Sequence, residues 1–238
     1  MYKYYTWLRE NLLNYAYSTA VQAHHTGYPI MRLLPMVYPD SGTVAAVTDE
    51  YMYGDHLLVA PIYTAENLRK VAFPGGRWVN LFDNREQVDG DTVTERAYPI
   101  TEIPVYIADG AVIPLRVNEN LRLGFSMTRS EVKALLVTKP TRTVRGSWFG
   151  SDTEENPYAF RPDGNTFTLY AKGTGEYSYV IVKGLSMVNG VCLNGEALEK
   201  ASAKQGLNLR EKWFVTEDGT LYVRLFPHAE ITLTVDGV

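Results

Sequence analysis

The spacing of apolar residues changes along the chain from a helical period to a strand period. From Lys3 to Thr26 apolar residues recur every three to four positions, which predicts an amphipathic helix. Gly27 and Pro29 follow where helices commonly end, so we expect the helix to stop there. Ile30–Leu34 then predicts a short apolar strand, and Thr43–Tyr53 is long enough for one or two helical turns.

The stretch from Glu50 to Ile62, called the seam below, joins the helical part to a part made of short strands. Gly54 permits a backbone turn that a β-carbon would hinder. Leu57–Ala60 is apolar at every position, which predicts a strand buried on both faces. Pro61 offers no backbone donor and marks the end of that strand. We therefore expect an α/β part to meet β modules at the seam.

Beyond the seam, alternating stretches bounded by Gly, Pro and Asn predict short strands. Val71–Phe82 predicts a hairpin with Pro74-Gly75-Gly76 as its turn. Ile103–Ile107 and Ala111–Leu115 predict two more strands around Asp109-Gly110. After residue 126 the pattern predicts a further β-sandwich. Its candidate strands are Lys133–Val137, Arg145–Phe149, Thr166–Tyr170, Tyr177–Val182, Met187–Leu193, Trp213–Thr216, Leu221–Phe226 and Glu230–Val235.

Composition excludes several classes of protein. The 238 residues carry a net charge of −4, which argues against a nucleic-acid partner or an anionic membrane. No stretch is apolar for long enough to span a bilayer. Cys192 is the one cysteine, so an internal disulfide and a cysteine-rich metal site are excluded. The first residues lack the apolar core of a signal peptide, so we expect a cytoplasmic location unless more sequence precedes Met1.

Three stretches resemble glycoside hydrolase family 31, the α-glucosidase and α-xylosidase family. Gly54–Pro61 resembles the family segment YMFGDxLLVAPV, and His24–Pro35 resembles HxxGxPVxRPL. In the second stretch Arg32 is retained, whereas Leu33 stands where the family has proline. In the third stretch Pro74, Gly76 and Trp78 match LPxGxWxDxWTG. Ile103–Val105, Gly110 and Ile113-Pro114 match IPVFVRAGxIIP, in which Ala108 replaces the family arginine. The resemblance covers residues 2 to 115, about half of the chain.

The resemblance implies a mainly β fold with a small N-terminal α/β remnant. Residues 1–51 would be the last helix and strand of a catalytic (β/α)8 barrel. Residues 52–125 would form a proximal C-terminal β-sandwich and residues 126–238 a distal one, both antiparallel. The distal assignment rests on position, because Gly150–Glu155 matches the family's Asp-Asp-Gly-Glu turn poorly.

The residues that would carry glycosidase chemistry are not found in this sequence. Retaining hydrolysis needs two carboxylates about 5–5.5 Å apart. The resemblance implies that both are barrel aspartates upstream of the final helix, and no tryptophan here begins a WxDMNE-like motif. We therefore assign no catalytic residue, no metal site and no cofactor. Arg32 is the candidate substrate-binding residue; the alternative is a structural arginine paired with a carboxylate.

The acidic residues have simpler explanations than catalysis. Asp49, Glu50, Asp55 and the Asp89/Asp91 pair are expected in turns or facing solvent. The acidic cluster at 152–155 is expected to do the same, with a loose calcium site at Asp152–Asn156 as the alternative.

These features predict the C-terminal portion of a retaining α-glycosidase that braces the barrel. The parent enzyme would act on an oligosaccharide or α-glycoside, and the chain alone would be inactive. Two alternatives stay open: a stand-alone carbohydrate-binding module, because Tyr and Trp rings stack on sugars, and a part that assembles with a separately encoded barrel.

The N-terminal helix itself needs a partner. Its apolar stripe, with Leu8, Leu12, Ala16 and Ala20, would lose the neighbouring barrel units, so we expect either self-association through the helix or packing onto the proximal sandwich. The polar residues Arg9, Asn11, Asn14, Ser18 and Gln22 are expected on the other face.

Overall fold

The computed structural model describes residues 1–63, 68–127, 130–204 and 210–237. Within these ranges the α-helices lie in the first part of the chain: α1 (Tyr2–Asn11), α2 (Leu13–Thr26) and the short α3 (Leu34–Val37). Gly27 ends α2 as predicted, with a φ of +72° and its N–H donated to the Ala23 carbonyl oxygen at 2.9 Å. Within the described ranges the helices are too short or too polar to cross a membrane.

Strands make up about half of the remaining described residues. In chain order they are β1 (Met31–Leu33), β2 (Tyr51–Tyr53), β3 (Leu57–Val59), β4 (Leu68–Phe73), β5 (Arg77–Asn80), β6 (Gln87–Asp89), β7 (Thr92–Ala97), β8 (Val105–Ala108), β9 (Val112–Asn118), β10 (Glu131–Thr138), β11 (Val144–Phe149), β12 (Glu155–Asp163), β13 (Thr166–Lys172), β14 (Tyr179–Lys183), β15 (Gly190–Leu193), β16 (Glu196–Ala197), β17 (Glu199–Lys200), β18 (Lys212–Val215), β19 (Leu221–Arg224) and β20 (Glu230–Asp236).

Three six-stranded sheets contain most of these strands. The first sheet has the order β1-β2-β3-β8-β5-β6, the second β17-β18-β19-β14-β10-β9, and the third β11-β12-β13-β20-β15-β16. Strands β4 and β7 pair separately. The mainly β class predicted from the sequence is therefore confirmed.

The second sheet is buried on both of its faces. Along β10, Leu135 and Val137 pack in one apolar cluster with the third sheet, while Ala134 and Leu136 pack in another with the first sheet and the helices. This double burial explains why β10 carries apolar residues at consecutive positions. The same reasoning confirms the prediction for β3, where Leu58 faces one cluster and its neighbours face the other.

Two features of the predicted sandwiches need correction. The distal sheets are not wholly antiparallel, because β10 pairs with β14 in parallel; β11–β13 form the crossover that parallel strands require. The predicted hairpin at Val71–Phe82 is wrong, because β4 pairs with β7 and β5 pairs with β6 and β8. The Pro74-Gly75-Gly76 segment instead carries the chain between sheets, and Gly76 O accepts a bond from Gly90 N at 2.6 Å.

The N-terminal part also differs from its prediction. Thr43–Tyr53 forms turns followed by β2 rather than a helix. The predicted barrel strand becomes β1, which pairs antiparallel with β2, with Arg32 opposite Met52. Barrel strands have parallel neighbours, so the barrel-strand assignment is not confirmed. The predicted boundary at 125/126 separates β9 from β10, which pair with each other, and the three-part division stays a prediction.

The N-terminal helices pack on their own chain. Leu8, Leu12 and Tyr15 are buried with residues of the first and second sheets, which matches the second of the two alternatives, while Ala20 is exposed. Asn11 was expected on the outer face but is buried, because its amide bonds the Arg116 carbonyl and the Gly124 N–H at 2.8 Å each. Self-association stays a prediction.

The prediction for Ser18 needs a similar correction. Ser18 too was expected on the outer face, yet it is buried and its Oγ accepts a hydrogen bond from Phe149 N at 2.9 Å. Buried polar groups must be paired, so polar side chains on this helix face find their partners on strands that lie far away in the sequence.

Candidate functional site

Arg32, the candidate substrate-binding residue, lies in the middle of β1 with only 1% of its surface exposed. Its Nη1 forms an ion pair with Asp55, and its Nη2 donates to Gln22 Oε1 at 3.1 Å. Its Nε donates to the Pro29 carbonyl at 2.6 Å. The guanidinium also stacks over the Tyr28 ring, 4.2 Å from its centre. Each of its three nitrogens is thus engaged by another residue of the chain.

This arrangement connects three elements that are separate in the sequence. Gln22 on α2 donates to Asp55 Oδ2 at 2.8 Å while it accepts from Arg32, so helix, strand and seam meet in one network. A buried charge is tolerated when it is paired and hydrogen-bonded, which Arg32 is. We call Arg32, Asp55 and Gln22 the clamp.

The electrostatics of the clamp keep Asp55 ionised. Burial alone would raise the pKa of Asp55, but the adjacent His56 and the bonds from Arg32 and Gln22 hold it below its ordinary value. Burial lowers the pKa of His56, so the imidazole favours its neutral form. Asp55 lies in a turn with an exposed side chain, as expected, and it also pairs with the buried Arg32.

Tyr15 fastens the seam to α2 directly beside the clamp. Its hydroxyl donates to the Tyr53 carbonyl at 2.8 Å and accepts from His56 N at 3.0 Å. Gly54 lies between these two partners with a φ of +61°, and a β-carbon there would come within 2.3 Å of the Tyr15 hydroxyl. The glycine identified from the sequence is thus required both by its conformation and by the tyrosine above it.

Glu50, at the start of the seam, is buried rather than solvent-facing. Its two carboxylate oxygens lie 3.1 and 3.2 Å from Ala72 N. Arg69 Nη2 lies 3.5 Å from Oε1, and Arg69 is also held by Asp49 at 2.7 Å. Burial raises the pKa of Glu50 to about 7, against the opposing effect of the Ala72 and Arg69 groups. The prediction that Glu50 faces solvent is wrong.

The acidic cluster at 152–155 follows β11 at the edge of a cleft between α2 and the distal sheets. The cleft has a volume of about 470 Å³. Within the part of the chain that the structure describes, no three His, Cys, Asp or Glu side chains come together as a metal site would require. The calcium alternative therefore gains no support there.

The sequence did not single out Tyr15, Gln22 or His56 as members of one site. Tyr15 and Gln22 are seven residues apart, which places them on one face of a helix. That spacing could have placed the two residues in one group, but no sequence pattern near them shows that this helix face contacts the seam.

Comparison with known proteins places this geometry in a family. Residues 27–113 match the Glycosyl hydrolase family 31 C-terminal domain. This region belongs to glycoside hydrolase family 31. The family match includes β1, the seam and the strands of the first sheet, and therefore Arg32 and Asp55 of the clamp.

Relatives in family 31 align with about half of this chain. An α-glucosidase of Saccharolobus solfataricus is 37% identical over 117 residues, which are 49% of this chain and 16% of that protein. An α-xylosidase of the same organism is 32% identical over 112 residues, covering 47% of this chain and 15% of that protein. The matched part of the chain therefore covers less than a fifth of the length of these two relatives.

The fold comparison extends over the whole chain. The cycloalternan-forming enzyme from Listeria monocytogenes superposes with a TM-score of 0.88 at 21% identity, over 99% of this chain and 23% of that one. At this identity the likeness shows a shared fold. It includes the distal sheets, which lie beyond the family 31 match.

Proposed function

We propose that this chain forms the C-terminal portion of a retaining α-glycosidase and that it braces the catalytic (β/α)8 barrel. The whole enzyme would hydrolyse O-glycosidic bonds of an oligosaccharide or α-glycoside through a covalent glycosyl intermediate. In this proposal α1 and α2 contribute the last helical part of the barrel. The three sheets hold that part in place from one side.

The observation that carries the proposal is the one-sided burial of α2. Tyr15, Ser18 and Thr19 are buried against the sheets. In contrast, Ala20 and His24, four residues apart on another face of the helix, are exposed. A helix that is left exposed on one face, in a chain whose match covers 16% of its α-glucosidase relative, suits contact with further protein.

Strand β1 adds an exposed apolar surface. Met31 and Leu33, on either side of the buried Arg32, are each 58% exposed. Alternation along a strand places both on one face, so they form a small apolar patch at the edge of the first sheet. We infer that this patch also faces the barrel.

In this proposal Arg32 is a positioning residue. The clamp fixes α2 against β1 and the seam, so the helix that belongs to the barrel keeps a constant orientation to the first sheet. Direct contact between Arg32 and substrate fits less well, because its nitrogens already bond Asp55, Gln22 and Pro29. We expect no hydrolysis by the chain alone, since the resemblance assigns no catalytic carboxylate to it.

The proposal is tested on the protein as its source organism makes it. We would capture it with antibodies raised against this chain, measure its mass, and assay it with nitrophenyl α-glucoside and α-xyloside. We expect a polypeptide several times heavier than the 26.8 kDa of this chain, with activity on at least one substrate. A 26.8 kDa polypeptide without activity would refute the proposal. A polypeptide of that mass that co-purifies with a separate barrel would support the assembly alternative instead.

A further inference from the structure

A cleft of the described structure lies outside both the clamp and the seam. It is formed where α2 passes over the distal sheets, between Tyr17 on the helix and Phe149 on β11. Its volume of about 470 Å³ is within the range of small-molecule sites, about 300–1,000 Å³. We propose that this cleft binds a neutral oligosaccharide. The proposal goes beyond the bracing role and does not depend on it.

Aromatic side chains supply the walls of the cleft. Tyr17 lies on the helix side, while Trp148, Phe149 and Tyr177 lie on the side of the distal sheets. Tyr17 and Phe149 keep accessible ring surface, whereas Trp148 and Tyr177 are almost fully buried and meet edge to face, with ring centres 6.2 Å apart. Aromatic rings offer flat apolar surfaces with polar tips, which suits the C–H faces and hydroxyl edges of a sugar ring.

Polar groups are placed around this aromatic wall. Asn14, Asp152, Glu154, Asn156 and Glu176 all line the cleft. Their amide and carboxylate oxygens are acceptors for hydroxyl donors, and the two amides also donate. A few polar groups around an apolar wall is the composition expected of a small-molecule site.

The loop that carries these groups is held in shape before any ligand arrives. Asp152 Oδ1 accepts from Glu154 N at 3.0 Å, and Asn156 Nδ2 donates to the Glu154 carbonyl at 3.2 Å. Gly173 makes room for Asn156, because a β-carbon there would lie 1.7 Å from the Asn156 side-chain oxygen. A site that is already ordered loses less entropy when it binds.

The charge of the cleft restricts the class of ligand. It contains three carboxylates and one lysine, and that lysine, Lys133, is paired with Glu176. The remaining negative charge disfavours an anionic ligand. A metal ion lacks the required ligand cluster within the described residues. An uncharged molecule with many hydroxyl groups satisfies both the acceptors and the aromatic wall.

The side chain of Trp148 beside the cleft is 2% exposed and packs against the rings of Tyr158 and Tyr177. A ligand in the cleft changes the surroundings of this indole. Trp148 therefore also provides a fluorescence signal for binding.

The test is a titration of this chain with maltotriose, isomaltotriose and xylotriose, in which calorimetry and tryptophan fluorescence measure binding. We expect saturable binding of at least one of them. Tyr17→Ala removes one ring of the cleft and should weaken that binding by about three- to tenfold. Asn14→Ala, a second variant, should also weaken it. The matched control is Tyr2→Ala, because Tyr2 is 87% exposed and does not line the cleft.

Two results would overturn the inference. One is the absence of saturable binding with all three sugars in a chain that melts cooperatively. The other is binding that Tyr17→Ala and Asn14→Ala leave as strong as Tyr2→Ala does. Neither result bears on the mass or the hydrolytic activity of the native protein, so the bracing proposal is tested separately.

Discussion

Glu50 should make the stability of the chain depend on pH in a direction opposite to that of most carboxylates. The side chain is 3% exposed, and burial raises its pKa from an ordinary value of 4.5 to about 7. The folded chain thus keeps a proton that the unfolded chain releases. The stability that this protonation contributes is fully present below pH 4.5 and is lost as the pH rises through about 7.

The size of the effect follows from the shift in pKa. One pKa unit corresponds to about 1.4 kcal/mol, so the shift of Glu50 corresponds to about 3 kcal/mol. Glu50→Gln keeps an oxygen acceptor for Ala72 N and removes the ionisation. We expect the variant to match the wild type near pH 4.5 and to exceed its free energy of unfolding by about 3 kcal/mol at pH 8.

The measurement is urea unfolding of both proteins between pH 4.5 and 8, with tryptophan fluorescence as the signal that reports unfolding. The informative quantity is the difference between the two free energies of unfolding, because other titrating groups cancel in it. Glu119→Gln, at an exposed glutamate, is the control for the loss of one carboxylate. A difference for Glu50→Gln that is flat, or that falls as the pH rises, would refute the reasoning.

Two further substitutions test the seam and the buried lysine. Gly54→Ala places a methyl group 2.3 Å from the Tyr15 hydroxyl and should cost about 2–4 kcal/mol in thermal or urea unfolding. Gly27→Ala, also at positive φ but with nothing within 4 Å, should cost about 1 kcal/mol, and equal losses would contradict the steric argument. Burial lowers the pKa of Lys183 to about 8 from 10.5, so its contribution to stability is present above pH 10.5 and lost as the pH falls through about 8. Lys183→Met should therefore exceed the wild type in melting temperature at pH 7 and lose most of that advantage by pH 10, and an advantage independent of pH would contradict this.

Local features of the fold could be predicted from the sequence, and long-range pairings could not. Gly27 ends its helix because glycine adopts a left-handed conformation easily, which is a local property. The partners of β4 and β5 were missed because β7 and β8 lie far along the chain. The Pro-Gly-Gly segment between β4 and β5 instead looks like a hairpin turn. Strand β12 was missed because Pro157 and Pro162 normally argue against a strand inside a sheet.

The candidate site shows the same division. Arg32 could be selected from the sequence, and one of the two roles considered for it was pairing with a carboxylate. Its partner Asp55 lies in a turn and is exposed, as predicted, but the sequence did not identify it as that partner. The pairing of Arg32 with Asp55 depends on how α2 packs against the seam, which no local sequence pattern predicts.

The docking of α2 has a consequence for the order in which the chain acquires structure during synthesis. The helix is complete at Thr26, but Ser18 bonds Phe149, about 120 residues later. At ~5–20 residues per second the ribosome needs on the order of 6–25 s to supply that partner. The seam supplies partners for Tyr15 and Gln22 much earlier, but throughout this interval the helix surface around Ser18 lacks its cover, which makes it a binding segment for co-translational chaperones. Substitutions that make this helix face more apolar should therefore reduce the yield of folded protein before they change its free energy of unfolding.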